Sequence, residues 1–434
     1  MHKSLLLTAL FAISQHTLAI EANEPNILSY TKEKKDEQIS LLKELVDINS
    51  GTENKVGVIA VGEKVKPLFE SLGFNVEWKE LPENMKHAGS LVATKTGDPS
   101  SKEKFLIIAH MDTVFPSNSK FQKFEYIDEN KKFAKGPGVI DDKGGIVTII
   151  YALKALDHIN ELKNKNITVV LVGDEEFAAK PTDISRKALI DLAKNHNIAL
   201  GFEFALNDNQ LVTNRRGLSE WYINSSGKQS HSSRIFEKDI GYGAIFEIAN
   251  VLNQVQKKLS HTDGLTINPG ILLGGSNPTE DIEQGNGKVD GKKTIVANSA
   301  LAHGDIRYID EKQRDYAKNT MTKIVSNNLP LTQTTISFKD IIPTMAETSA
   351  NKGLLQEFNQ INKSLVNKNL EAVPSNDRGG ADISYISKYM QASIDGLGPW
   401  GTGAHTEKES IDLDSLETVT NRTAIFLKSY KVKN

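Results

Sequence analysis

The stretch from Phe105 to Gly145 constrains this chain more than any other. Phe105–Ala109 is a short, wholly apolar run, the pattern of a strand buried on both faces. It ends in His110-Met111-Asp112. Open α/β sheets place their sites just past the carboxyl ends of parallel strands. His110 and Asp112 alternate along the strand end, with Met111 facing the other way. A neutral imidazole can hold a metal, and a carboxylate two residues on can accept the other ring N–H and fix its tautomer. Gly136-Pro-Gly-Val-Ile-Asp141-Asp142-Lys143-Gly144-Gly145 follows and leads into the apolar run Ile146–Leu153. Two carboxylates at a helix start suit its dipole and are also hard oxygen ligands for a divalent cation. Taken alone, each half reads first as structural, an N-cap aspartate pair and a core histidine. What lies downstream decides between these readings.

Two more apolar runs end in acid. Ile167–Val172 leads into Gly173-Asp174-Glu175-Glu176, and Ile198–Phe202 ends at Glu203. Far downstream, Gly401-Thr402-Gly403-Ala404 puts His405 on a glycine-rich loop. Collecting so many like charges at one sheet edge is costly unless cations neutralise them. Two cations sharing one carboxylate would do so, and hydrolytic two-metal sites hold their ions about 3.5–4 Å apart. The 434 residues include no cysteine, so a metal would be held by His, Asp and Glu.

The rest of the chain fits an α/β protein. Helical spacing is read over Lys32–Asn49, Val56–Leu72, Gly145–Leu156, Ile184–Lys194, Leu354–Leu365 and Leu413–Tyr430. Strands are read at Phe74–Trp78, Ser90–Ala93 and Ile394–Leu397, beside the three apolar runs. This alternation predicts a mostly parallel sheet flanked by helices. From about Arg216 to Asp340 the texture changes. Strand Leu218–Asn224, helix Ala244–Lys257, strands Leu265–Leu272 and Thr294–Arg307, helix Glu311–Asn328 and strand Thr335–Phe338 make a split βαβ, ferredoxin-like order. Between the middle strands, Ser276–Lys293 is rich in Gly, Asn and acid and reads as a long exposed hairpin loop. The expected organisation is a catalytic domain over 23–215 and 341–434, interrupted by an inserted α+β lid or dimerisation domain over 216–340.

Residues 1–22 read differently. Lys3 precedes the mostly apolar run Leu5–Ser14, and Thr17-Leu18-Ala19 closes it. That is a secretory signal, with cleavage after Ala19 or Ala22, and it implies a periplasmic or secreted protein. That run is too short to span a bilayer comfortably, and no other stretch reaches about eighteen apolar residues. A formal net charge of −3 gives nucleic acid no electrostatic footing.

In order along the chain, His110-Met-Asp112, Gly136 to Gly145, Asp174-Glu175-Glu176, Phe202-Glu203, Gly227-Lys-Gln-Ser-His231-Ser-Ser, Gly304-Asp-Ile-Arg307, Gly379-Gly380-Ala-Asp382 and His405 form one set. That set resembles the co-catalytic di-zinc exopeptidases: glutamate carboxypeptidase, aminoacylase-1 and succinyl-diaminopimelate desuccinylase. It is most similar to the carboxypeptidase G type. The resemblance implies two Zn²⁺ per chain, with cobalt and manganese as alternatives. It implies Asp141 as the bridging carboxylate, His110 and Glu203 completing one site, and Glu176 and His405 the other. Asp112 would orient His110, and Glu175 would be the general base. His231 would reach a neighbouring subunit's site to stabilise the oxyanion, Arg307 would grip the substrate carboxylate, and Gly379 and Gly380 would line the cleft with backbone. A cis peptide is expected at Asp141–Asp142. The implied substrate is a small peptide or N-acyl amino acid, and the implied assembly a homodimer through the inserted domain. Where the family carries Asn-x-x-Pro ahead of its Asp-x-Arg strand, this chain reads Thr294-Ile-Val-Ala297, leaving Asn298 or another group to substitute. The expected activity releases a C-terminal amino acid, with glutamate as a candidate. An aminoacylase or dipeptidase is the alternative. A metal-bound but inactive relative is the alternative of another class, and Glu175 speaks against it.

Overall fold

The computed structural model describes residues 24–282 and 285–432. The expected signal segment lies outside the described residues. The larger sheet runs Asn75–Lys79, Ser90–Lys95, Asn166–Val172, Lys104–His110, Ile198–Gly201, Ala392–Ile394. Its last four strands are parallel, and the first two join antiparallel at one edge. The sheet is therefore mixed: four neighbouring strands are parallel out to the Ala392–Ile394 edge, and two pair antiparallel at the opposite edge. The short link between Asn75–Lys79 and Ser90–Lys95 accounts for their antiparallel pairing, because a parallel return needs a crossover of about a dozen residues or more.

Alternation puts Phe105, Ile107 and Ala109 into one core and Leu106 and Ile108 into another. Helices Lys55–Ser71, Lys143–His158 and Leu413–Ser429 fill the first face. Helix Lys187–Ala193 and the short helix Asp382–Ile386 cover the second. The run read as one helix over Ile184–Lys194 is broken at Arg186, which lies between Thr182–Ser185 and Lys187–Ala193. Register brings the strand ends together. His110 lies opposite Val172, and Ile108 opposite Gly201, so the chain leaves all three strands at one edge.

Residues 217–342 build a separate antiparallel sheet. Its order is Asn286–Asp290, Thr266–Asp281, Ser299–Tyr308, Gly217–Gly227, Thr332–Ile342. Helices Gly243–Leu259 and Glu311–Val325 cover one face, burying Trp221, Ile223, Val251, Ile306 and Met321 in a core of their own. The segment expected as a loop is different in structure. Asn286–Asp290 folds back onto Ser276–Asp281 as a paired strand. Backbone pairing along an open strand edge needs no apolar side chains, so composition alone could not reveal it. The two connections to the larger sheet run side by side, with Arg215 and Met345 exchanging backbone hydrogen bonds at 2.9 and 3.1 Å.

Candidate metal centre

The rim where the three parallel strands end gathers two groups of donors. His110, Asp141 and Glu203 form one; Asp141, Glu176 and His405 form the other. Within each, the ligand atoms lie within 4.8 Å of one another, and Asp141 belongs to both. His110 Nε2 is 3.1 Å from Asp141 Oδ1 and 3.6 Å from Glu203 Oε1. His405 Nε2 is 2.8 Å from Asp141 Oδ2 and 3.3 Å from Glu176 Oε2. The two oxygens of Asp141 thus face opposite ways, one to each imidazole.

Local structure explains how Asp141 gets there. Gly138, at φ +76°, turns the chain ahead of it, a conformation glycine adopts without strain. The Asp141–Asp142 peptide is cis. Helix Lys143–His158 then departs with Gly145 pressed against the Asp142 carboxylate and the Phe202 carbonyl, where a Cβ has no room.

Asp112 does more than the sequence suggested, and does it differently. His110 Nδ1 lies 3.0 Å from the Asp112 backbone carbonyl and 3.4 Å from its carboxylate, so the carbonyl is the nearer acceptor for the ring N–H. That leaves Nε2 as the free ligand atom. The Asp112 carboxylate instead accepts the backbone N–H groups of Glu175 at 3.0 Å and Glu176 at 3.1 Å, and the Thr52 hydroxyl at 2.6 Å. One aspartate therefore positions a residue of each group.

The electrostatics of the rim suit bound cations. Burial raises the Asp141 pKa, but the two imidazoles outweigh it and hold the carboxyl below its usual range. Burial and the charge of Asp141 push Glu176 up to about 10. Glu175 is likewise pushed well above the usual carboxylate range by burial and by Glu203. Acids that cannot ionise together without help, interleaved with imidazoles, suit a pair of divalent cations, and oxygen and nitrogen donors without thiolate suit zinc.

Sequence reasoning missed the groups that hold these ligands. Arg186 is buried and bridges Asp174 Oδ1 at 2.7 Å and Asp382 Oδ1 at 2.6 Å. Arg215 pairs with Asp395 at 2.7 Å, and with Arg378 it flanks Glu203 Oε2, at 3.8 and 3.3 Å. Glu409 accepts backbone hydrogen bonds from the loop that carries Asp141. No spacing rule singles these out. Arg378 and Glu409 lie within a few residues of quoted motifs, and that proximity is the one signal available.

The remaining predicted residues are placed as follows. Glu175 sits at the rim outside both donor groups. Arg307 is half-exposed, pairs with Asp305 at 3.2 Å, and has its Nη1 about 3.6 Å from where a side chain on Gly379 would start. Gly380 packs on Ile342 and the Arg216 carbonyl. His231 is exposed and bonds within its own turn, Nδ1 to the Ser233 hydroxyl at 2.8 Å; it is not among the donors at the rim. Asn298 keeps a buried side-chain oxygen without a partner. Asp382 starts the short helix after Gly380 and binds Arg186.

A shared carboxylate between two imidazole–carboxylate sets, at the carboxyl edge of an α/β sheet, defines a dinuclear metal-dependent hydrolase. The pattern of peptidase family M20/M25/M40 matches residues 106–429, and the chain belongs to that family. It is a zinc-dependent hydrolase. Carboxypeptidase G2 of Pseudomonas sp. (strain RS-16) is 26% identical over 399 residues, covering 88% of this chain and 87% of that protein. A probable succinyl-diaminopimelate desuccinylase of Staphylococcus aureus (strain MRSA252) is 22% identical over 312 residues, covering 67% and 72%. The fold is similar to that of aminopeptidase PepT from Bacillus cereus, with a TM-score of 0.70 at 16% identity, covering 91% of this chain and 98% of that one.

Proposed function

We propose that this chain is an exported metallo-exopeptidase that hydrolyses an amide bond and releases a C-terminal amino acid from a peptide or N-acyl conjugate, with glutamate as a candidate product. The observation that carries the reading is Glu175. It stands beside the shared-carboxylate centre, is not one of its donors, and has its backbone fixed by Asp112.

His110, Asp141 and Glu203 would hold one zinc ion, and Asp141, Glu176 and His405 the other. Bound zinc supplies Lewis acidity and lowers the pKa of water toward neutrality. Glu175 takes the proton of the attacking water and passes it to the leaving amine nitrogen. Arg307 offers a planar fork to the free carboxylate of the substrate, with the Gly379 backbone beside it leaving room for the chain. His231, exposed on the inserted domain, would serve the site of a second subunit as an oxyanion donor.

The inserted domain is read as a split βαβ lid that closes about 213–217 and 340–343, and as the dimer contact. Exposed Phe236, Ile245, Phe246 and Leu272 support the contact, beside a strand edge left open over 266–275. Export rests on the charged start and apolar run of residues 3–14. The likeness to carboxypeptidase G2, 26% identical over 88% of this chain, favours carboxypeptidase over aminoacylase or dipeptidase activity. A panel of N-acyl glutamates, acetyl-amino acids and dipeptides, assayed with and without chelator, tests this. Preferred release of a C-terminal residue, abolished by chelator and restored by zinc, is the expected result. Preference for acetyl-amino acids or free dipeptides would move the assignment within the family, and zinc-bound protein hydrolysing nothing in the panel would overturn it.

A further inference from the structure

Glu409 has no place in the reaction drawn above, yet it touches the centre from behind. It lies four residues after His405, at the base of the loop that carries that histidine. Its side chain is buried and crosses to the loop that carries Asp141. Oε2 accepts the N–H of Gly138 at 3.1 Å, and Oε1 accepts those of Ile140 at 3.0 Å and of Asp141 itself at 3.2 Å. Its backbone joins the same two loops, since the Glu409 carbonyl accepts the Gly136 N–H at 3.3 Å. The next residues, Ser410–Asp412, pair antiparallel with Phe133–Lys135. Three N–H groups of one turn therefore converge on one carboxylate.

We propose that Glu409 is a positioning residue for the dinuclear centre: it fixes the backbone of the shared ligand Asp141 and ties it to the His405 loop, so that the second cation site is preformed. The inference rests on the metal-binding reading above. The reasoning is geometric. Asp141 must aim its two oxygens at imidazoles on opposite sides, and the turn before it runs through Gly138 in a left-handed conformation. A turn of this kind has N–H groups that no helix or strand satisfies, and buried N–H groups left unpaired are costly. A carboxylate accepts several at once, with charge-assisted strength. Because the acceptor comes from the His405 loop, the same bonds set the distance between two ligands of one site.

The test is a zinc titration of metal-free protein in competition with a chromophoric chelator, on wild type, Glu409→Gln and Glu409→Ala. The unfolding temperature of each is measured with and without zinc. Wild type should take up two equivalents; if it does not, the dinuclear reading itself fails and the variants are moot. Given two equivalents, Glu409→Ala should weaken binding about 10- to 100-fold, the range seen when partners of metal ligands are removed. Glu409→Gln, which keeps one acceptor oxygen, should fall between alanine and wild type. The absorption spectrum of cobalt-loaded Glu409→Ala should shift, reporting an altered ligand set. Should the alanine variant fail to fold, the glutamine variant carries the test. Metal affinity within about twofold of wild type in the folded variants, with only the metal-free unfolding temperature lowered, would reduce Glu409 to a structural link and overturn the inference.

Discussion

Removing the guanidinium of Arg186 should destabilise the fold strongly. Its side chain is buried between two buried acids, Asp174 and Asp382. It makes charge-assisted bonds to Asp174 Oδ1 at 2.7 Å and Asp382 Oδ1 at 2.6 Å, and a third to the Asp174 carbonyl at 2.9 Å. Arg186→Met roughly keeps the volume and strips the charge, leaving two carboxylates unneutralised. Breaking a buried pair in this way costs about 3–5 kcal/mol. The two acids should not share that loss equally. Asp174 keeps the Ala179 N–H at 2.9 Å and the Ser185 hydroxyl at 2.6 Å, whereas Asp382 is left with an oxygen that already lacks a partner. Most of the cost should therefore fall on Asp382, and Arg186→Met/Asp382→Asn should recover the larger part of it. Urea unfolding in excess chelator measures the effect without linkage to bound metal. The pH dependence has a definite sign. Burial raises the Asp382 pKa even with Arg186 present. In the variant it lies higher still, so the loss is greatest above the folded-state pKa and shrinks as pH falls and the acid takes up a proton. A loss below about 1 kcal/mol, or a loss unchanged by Asp382→Asn, would refute this account of the rim.

Three further outcomes are expected. Glu175→Ala should keep both metals, counted by elemental analysis, while kcat falls about 100- to 10,000-fold; retained turnover would remove Glu175 from the base role. His231→Ala should be nearly inactive alone, but mixing it with Glu175→Ala after dissociation and reassembly should restore part of the activity, because one hybrid site then carries both groups. No recovery in hybrids shown to form would rule out a donor from the second subunit. At the base of the inserted domain, burial raises the Asp340 pKa, but hydrogen bonds from Lys318 and Ser219 outweigh it and hold it below the usual value. A depressed pKa contributes stability that is present above the unfolded-state value and lost as pH falls. The stability gap between wild type and Asp340→Asn should therefore close below about pH 4; a gap unchanged down to about pH 2 would contradict the assignment.

Three of the ligand-bearing segments were legible because each is announced locally, whereas the roles of Asp141 and His405 came only with the resemblance of the whole motif set. An apolar run long enough for a strand stops at a polar residue, and three such runs stop at His110, Glu175-Glu176 and Glu203. The groups that hold them carry no such mark. Arg186 interrupts what reads as one amphipathic helix, and its partners lie 12 and 196 positions away. Arg215 sits in the connection to the inserted domain, and its partner Asp395 is 180 positions on. Buried pairing at that separation is a property of topology, and no window of sequence contains it. The antiparallel edge and the 286–290 strand were missed for a related reason. Side-chain periodicity reports which face is buried, and strand direction and edge pairing are decided by connection length and backbone bonds.

The supports also show how the protein sorts its own acids. Asp174 and Asp382 are paired with Arg186, and Asp395 with Arg215. Asp141 and Glu176 face imidazoles and no guanidinium within ion-pair distance among the described residues. Glu203 is split. Its Oε1 faces His110, while its Oε2 faces Arg378 at 3.3 Å and Arg215 at 3.8 Å. Two guanidiniums therefore draw on the charge of one ligand in the His110 group, and none does so in the His405 group. Cation affinity follows ligand charge, so the two sites should bind unequally, with the His110–Glu203 site the weaker. Zinc competition should resolve two steps, the weaker lost in His110→Ala and the tighter in His405→Ala. If His110→Ala abolishes the tighter step instead, the guanidiniums strengthen the Glu203 site by holding its carboxylate in place, and positioning outweighs charge at this centre.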